Sequence, residues 1–130
     1  MNLQVFCASS NKLLSLKGLE KCARLQECIV DGNQLSVIEP LYGLEHLHVV
    51  DVSRNPCLES LKPLYDKHIE DLWMSKNPKL DVLRELMSFD HKTDLKTLAV
   101  DGCTAPSPQA LLSILKAKFA NLRTLNGDLI

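Results

Sequence analysis

One interval constrains this chain more than any other feature of its sequence. Leu3, Leu25, Leu47 and Ile69 lie 22 residues apart, and each begins the same skeleton: apolar at +3 and +5, asparagine at +8. The four copies read Leu3-Phe6-Ala8-Asn11, Leu25-Cys28-Val30-Asn33, Leu47-Val50-Val52-Asn55 and Ile69-Leu72-Met74-Asn77. Composition alone does not produce four matches in unbroken register. Apolar residues alternating at +3 and +5 specify a short strand with one buried face. A unit this small cannot bury that face by itself, so the units must stack and share a core.

After each asparagine the chain returns along the far side. The first return limb carries Leu13, Leu16 and Leu19; the second carries Leu35, Ile38, Leu41 and Leu44. Leucines spaced by about three predict 3₁₀ or loosely helical turns rather than long helices, and Pro40 and Gly43 discourage a continuous helix. In the third and fourth units, Asn55-Pro56-Cys57-Leu58 and Asn77-Pro78-Lys79-Leu80 insert one residue before the next leucine. The limbs then resume at Leu61 and Leu64, and at Leu83 and Leu86. From Ile69 to Leu95 the interval grows to 26, which predicts a looped extension over Phe89 to Asp94. The fifth unit, Leu95-Leu98-Val100-Cys103, puts cysteine where the others have asparagine. Ser107-Pro108 reads as an N-cap followed by proline at the first helical position. Leu111, Leu112, Leu115 and Phe119 then fall on one helical stripe, and Leu122-Leu125-Gly127 forms a last strand-like unit.

The expected fold is an α/β solenoid. It has a curved parallel sheet on its concave side, short 3₁₀ or helical return segments and a C-terminal capping helix. Residues 1–130 are read as one domain with units starting near 3, 25, 47, 69 and 95 and a cap over 107–130. Leu3 opens the first strand as an apolar edge without an evident cap. The expectation is a segment of a larger protein, and the alternative is an edge that meets a partner.

The unit LxxLxLxxNxL at this period resembles the short leucine-rich-repeat class typified by the nuclear regulatory subunit of protein phosphatase one. The stretch Phe119-Ala120-Asn121-Leu122-Arg123-Thr124-Leu125-Asn126-Gly127 is similar to the capping motif of the spliceosomal A-prime protein. That motif also occurs in the axonemal dynein light chain and the messenger-RNA export receptor. There a helix leads to a proline and then Leu-x-x-Leu-Asp-Gly; Ala120 stands here for the proline and Asn126 for the aspartate. The resemblance spans nearly the whole chain and implies a binding surface, often on the concave sheet. It transfers no individual binding residue, because none belongs to the shared skeleton.

Asn11, Asn33, Asn55 and Asn77, with Cys103, form an expected structural ladder. A buried amide both donates and accepts, so it can satisfy backbone groups that a tight bend leaves unpaired. Between the core positions, +2 and +4 face the concave side: Val5 and Cys7, Glu27 and Ile29, Val49 and Asp51, Asp71 and Trp73, Thr97 and Ala99. Ser9, Asp31, Ser53, Ser75 and Asp101 continue that face at +6. Trp73 is the leading candidate for partner binding, since an open tryptophan is costly surface and a common hot spot; packing against its neighbours is the competing account. Asp51 and Asp71 flank it and would complement a basic group, or else stand as solvated carboxylates. Val49, Ile29 and Glu27 complete the candidate surface. Asp31 and Asp101 each precede glycine at a strand exit, which turn chemistry explains. Arg54 and Lys76, at +7, read as a solvated rim.

Other function classes find little support. The net charge of −1 gives no bulk attraction to nucleic acid or anionic lipid. No basic segment precedes a long apolar run, and no apolar stretch is long enough to span a bilayer. Cys7, Cys22, Cys28, Cys57 and Cys103 are scattered without CxxC spacing, which argues against a disulfide framework or zinc and for a reducing compartment. His46, His48, His68 and His91 lack metal-ligand spacing. His48, Asp51 and Ser53 lie close in sequence, but nothing supplies an oxyanion hole. The reading is therefore a non-catalytic scaffold without metal or cofactor that binds a basic or amphipathic protein segment. Its expected setting is cytoplasmic or nuclear, with cytoskeletal association in view. Two alternatives remain at this point: an RNA-associated adaptor, against which the charge and the few aromatics weigh, and a structural role with stacking through the N-terminal edge. Oligomeric state is left open.

Overall fold

The computed structural model describes residues 2–130. Five strands of three residues each follow the repeat: β1 (Val5–Cys7), β2 (Glu27–Ile29), β3 (Val49–Asp51), β4 (Asp71–Trp73) and β5 (Thr97–Ala99). They pair in parallel and in chain order, so that Phe6, Cys28, Val50, Leu72 and Leu98 lie side by side in one row. That row points inward. Cys28, Val50, Leu72 and Leu98 are fully buried, as are Leu25, Leu47, Ile69 and Leu95 at the unit starts.

The return limbs follow the expected economy. Single 3₁₀ turns at Leu19–Lys21, Glu39–Leu41 and Lys62–Leu64 carry the chain back. Leu35, Ile38, Leu41 and Leu44 are all buried, and Leu41 N donates to the Ile38 carbonyl at 3.0 Å, an i to i−3 bond. Pro40 and Pro63 sit within the first two positions of their turns, where a missing N–H costs nothing.

The fourth unit takes the helical form of return segment, unlike the three before it. Its return limb is a true helix, α1 (Val82–Met87), capped by Asp81, whose side chain accepts from Arg84 N at 3.2 Å. Helical rather than 3₁₀ rotation buries Val82 and Leu86 and leaves Leu83 only partly covered. The longer interval is absorbed by α1 and the turn after it, where Phe89 is buried with its ring 5.5 Å from that of Tyr65. Glu85 of α1 is turned under the coil at 1% exposure. Its Oε1 accepts from Leu61 N at 2.5 Å and Tyr65 Oη at 2.7 Å, so a carboxylate from one unit holds the two residues that flank the 3₁₀ turn of the unit before it. Lys67 is also buried, with Nζ donating to the Tyr42 carbonyl at 2.6 Å. That burial pushes its ammonium below the ordinary lysine range.

The C-terminal cap is α2 (Pro108–Lys118), which begins at Ser107; the Ser107 hydroxyl accepts from Ala110 N at 3.4 Å. Leu111, Leu115 and Phe119 cover the last coil and Leu112 stays half-buried. The sheet does not end at Gly127. β6 (Thr124–Leu125) pairs in parallel with β5, then the Asn126-Gly127 turn sends β7 (Asp128–Leu129) back antiparallel to β6. Asn126 and Gly127 both have left-handed backbone, with φ of 53° and 86°, the geometry of a two-residue hairpin.

At the opposite end Leu3, Phe6 and Leu13 are only partly buried. With Leu16, Leu19 and Cys22 they line an open groove of about 320 Å³. Among the described residues, no helix is long and apolar enough to cross a membrane.

Candidate functional site

The asparagines tie each coil to the next. Asn33 Oδ1 accepts from Asn11 N and Leu13 N at 3.0 and 2.9 Å, while Nδ2 donates to the carbonyls of Ala8 and Val30. Asn55 Oδ1 accepts from Leu35 N at 3.0 Å, and its Nδ2 faces the carbonyls of Val30, Val52 and Ser53. Asn77 Oδ1 accepts from Asn55 N at 2.6 Å, and Nδ2 donates to Val52 and Met74. Cys103 places its thiol 2.9 Å from the Met74 carbonyl and donates there. Asn11 differs from the rest: it is exposed and, among the described residues, its side chain bonds only the Ser9 carbonyl. Asn126, which lies off the repeat skeleton, takes the ladder role for the last full coil, its Oδ1 accepting from Val100 N and Asp101 N at 2.7 and 3.2 Å.

To drive an asparagine inward the chain bends at +7. Ser10, Gly32, Arg54, Lys76 and Gly102 all have left-handed backbone, with φ between 55° and 79°. At Gly102 a Cβ would also lie 2.9 Å from the Lys76 Cα. Turn chemistry thus accounts for the glycine in both Asp-Gly pairs. The two aspartates do more. Asp31 accepts from Ser9 Oγ at 2.5 Å and from the Arg54 guanidinium at 2.7 Å, and these two partners hold its carboxyl below the usual range. Asp101 accepts from Ser75 Oγ at 2.5 Å. The +6 row is therefore a line of inter-strand bonds, and Arg54 is paired rather than a free rim cation.

The +2 and +4 rows are different. Register places Val5, Glu27, Val49, Asp71 and Thr97 in one line and Cys7, Ile29, Asp51, Trp73 and Ala99 in the next. Three carboxylates, Glu27, Asp51 and Asp71, lie in these rows with no lysine or arginine among them. Among the described residues the ion pairs are Arg54–Asp31, Lys67–Asp66, Lys79–Glu59 and Lys96–Glu70, and none touches those three acids. Asp51 Oδ1 accepts from Ser53 N at 3.0 Å, yet partial burial raises its carboxyl above the ordinary value. Trp73 is half-buried, with Asp51 across one strand gap, Ala99 across the other, and Asp71 two residues back on its own strand. Val49 and Ile29 are half-buried beside them.

The sequence-near trio is not joined into a relay. His48 Nδ1 lies 3.2 Å from the His46 carbonyl, Asp51 accepts from the Ser53 backbone N–H, and the Ser53 hydroxyl accepts from Ser75 N. Among the described residues no three potential ligands cluster to hold a metal ion. All five cysteines are free thiols; burial pushes Cys28 up to about 12 and raises Cys103 as well, so neither is a ready nucleophile. Sequence reasoning missed Glu85, Lys67 and Asn126. Only the last left a signal, the Asn-Gly pair that marks a hairpin turn.

No family model matches the chain. It is 28% identical over 128 residues to the mouse cilia- and flagella-associated protein 410, an alignment covering 89% of this chain and 51% of that protein. The chain thus spans about half the length of the curated relative it matches. Among solved structures, internalin C2 of Listeria monocytogenes superimposes with a TM-score of 0.68 at 18% identity, covering 93% of this chain and 59% of that one. That likeness concerns the fold: the chain is a leucine-rich repeat solenoid.

Proposed function

We propose that this chain is a non-catalytic docking module whose concave face holds a basic, amphipathic segment of a partner protein within a ciliary or cytoskeletal assembly. The observation that carries this reading is the set of unpaired acids, Glu27, Asp51 and Asp71, interleaved with Val49, Ile29 and Trp73 on one face. Apolar area next to unpaired carboxylates suits a helix or extended segment with one apolar and one cationic side. Short strands pinned by buried asparagines make a rigid platform, which limits the ordering cost of binding. The sequence likeness to a protein named for cilia and flagella supports the setting. Only acids carry charge in the +2 and +4 rows of the concave face, which weighs against direct RNA contact. A second reading, stacking through the N-terminal end, draws on the open apolar groove there.

The test is affinity capture from an extract of ciliated cells, comparing the wild type with Trp73→Ala, the double variant Asp51→Lys/Asp71→Lys, and Leu13→Glu. Thermal unfolding of each is followed alongside. The expected result is that the first two variants lose the wild-type partners, with affinity falling about 30-fold for Trp73→Ala, while folding is retained. Unchanged capture by both concave variants refutes the concave reading. Loss confined to Leu13→Glu moves the site to the N-terminal groove.

A further inference from the structure

Building on the concave docking reading, we infer that this face selects arginine over lysine by laying a guanidinium against the Trp73 indole with its N–H groups directed to Asp51 and Asp71. The geometry comes from register. Asp51 pairs with Trp73 and Val49 pairs with Asp71, so these four residues form the corners of a quadrilateral on one face of β3 and β4. The two acids occupy one diagonal, with Cα atoms about 8 Å apart, and the apolar residues occupy the other. A cation between the acids therefore lies beside the indole.

A guanidinium suits that space better than an ammonium. It is planar, stacks on an aromatic face and spreads five donors across a fork, so it can reach both carboxylates while flat on the ring. An ammonium is a compact, strongly hydrated point charge that serves one carboxylate at a time. On its other side Trp73 pairs with Ala99, whose side chain is small. Asp51 is already oriented by its bond from Ser53 N, and its raised pKa reflects a partly dehydrated carboxylate that a cation would favour in its ionised form. The Arg54 guanidinium, whose charge also acts on Asp51, is itself bonded to Asp31.

Trp73 is the single tryptophan of the chain, so indole fluorescence and the Nε1–H magnetic resonance signal report on this place alone. N-acetyl-arginine methylamide and N-acetyl-lysine methylamide are titrated as probes. The expected result is a saturable change in both signals, with Kd about fivefold lower for the arginine probe. Asp51→Asn and Asp71→Asn should each abolish that preference with the circular dichroism unchanged, whereas Glu27→Gln, outside the quadrilateral, should keep it. Equal Kd for the two probes, no response to either, or a preference surviving both Asp variants overturns the inference. Capture of partners that depends on Trp73 alongside probes that bind alike removes only the arginine claim. Capture independent of Trp73 removes the docking reading beneath it.

Discussion

Replacing Asn55 with leucine adds apolar volume to a site with 0% exposure, and on hydrophobicity alone it should stabilise. The hydrogen bonds argue the reverse. Of the groups bonded to the Asn55 side chain, the Val30 carbonyl keeps a donor in Asn33, the Val52 carbonyl keeps one in Asn77, and the Ser53 carbonyl keeps Gly32 N. Among the described residues Leu35 N has only Asn55 Oδ1, and the substitution leaves it a buried, orphaned N–H. That orphan costs about 1–3 kcal/mol, and losing the two amide N–H groups that the three carbonyls share costs roughly 0.5–1.5 kcal/mol for each N–H. Leucine recovers little in a slot lined by backbone polar groups. The expected net loss is about 2–4 kcal/mol, or roughly 10 °C in Tm for a domain of this size. Urea unfolding followed by Trp73 fluorescence and circular dichroism measures it. Asn33→Leu orphans two N–H groups, those of Asn11 and Leu13, yet should cost less, because Asn11 is exposed and water can reach that first coil. A leucine at position 55 that leaves stability unchanged, or an Asn33→Leu loss larger than the Asn55→Leu loss, would falsify the view that buried N–H satisfaction sets the ranking.

Two glycines should respond in opposite directions. Gly102→Ala forces a Cβ against the Lys76 backbone at a φ of 79° and should lower stability by about 2 kcal/mol. Gly43→Ala meets nothing within 4 Å and should raise the urea midpoint by the equivalent of about 0.5 kcal/mol. The acids supply a pH test. Asp31 has a folded pKa below its ordinary value of 3.8, so its contribution is present above that value and is lost as pH falls through the lowered folded value. Asp31→Asn should therefore be less stable than wild type at pH 7, with the gap closing in acid. Asp51 has a raised folded pKa, so its ionised form opposes folding above that value and the effect disappears below about 3.8. Asp51→Asn should be slightly more stable than wild type near neutrality, and denaturation curves recorded across pH would show the two gaps with opposite sign.

The repeat carried the pairing register because a fixed period dictates which residue lies across from which: Leu25, Leu47 and Ile69 begin coils whose strands pair residue for residue. It was silent wherever a coil does something its neighbours do not. Glu85 sits in a charged stretch that resembles a solvated helical face, and only the α-helical rotation of the fourth return limb turns it under Leu61. Lys67 is hidden by the same logic, since its partner is a carbonyl 25 residues away that no side-chain pattern records. The facing of Asp51, Asp71 and Trp73 follows from strand alternation. The pairing of Asp31 with Arg54 does not, because +6 and +7 side chains leave the strand and lean across its exit.

The direction of the asparagine bonds gives the array a grain. The Oδ1 of Asn33, Asn55, Asn77 and Asn126 in each case accepts from the coil that precedes it in the chain. Fraying from the front end frees asparagine Oδ1 acceptors, and an oxygen with two lone pairs bears under-satisfaction better than an N–H group does. Fraying from the back end strands amide protons. The molecule is therefore closer to a row of roof tiles than to a stack of coins: each unit is pinned by the one laid over it, and the row opens most cheaply at its front edge. The exposed Asn11 stands on that edge with its acceptor turned to solvent, so lengthening the array there asks for backbone N–H groups alone, while any change at the rear has to bring an acceptor of its own.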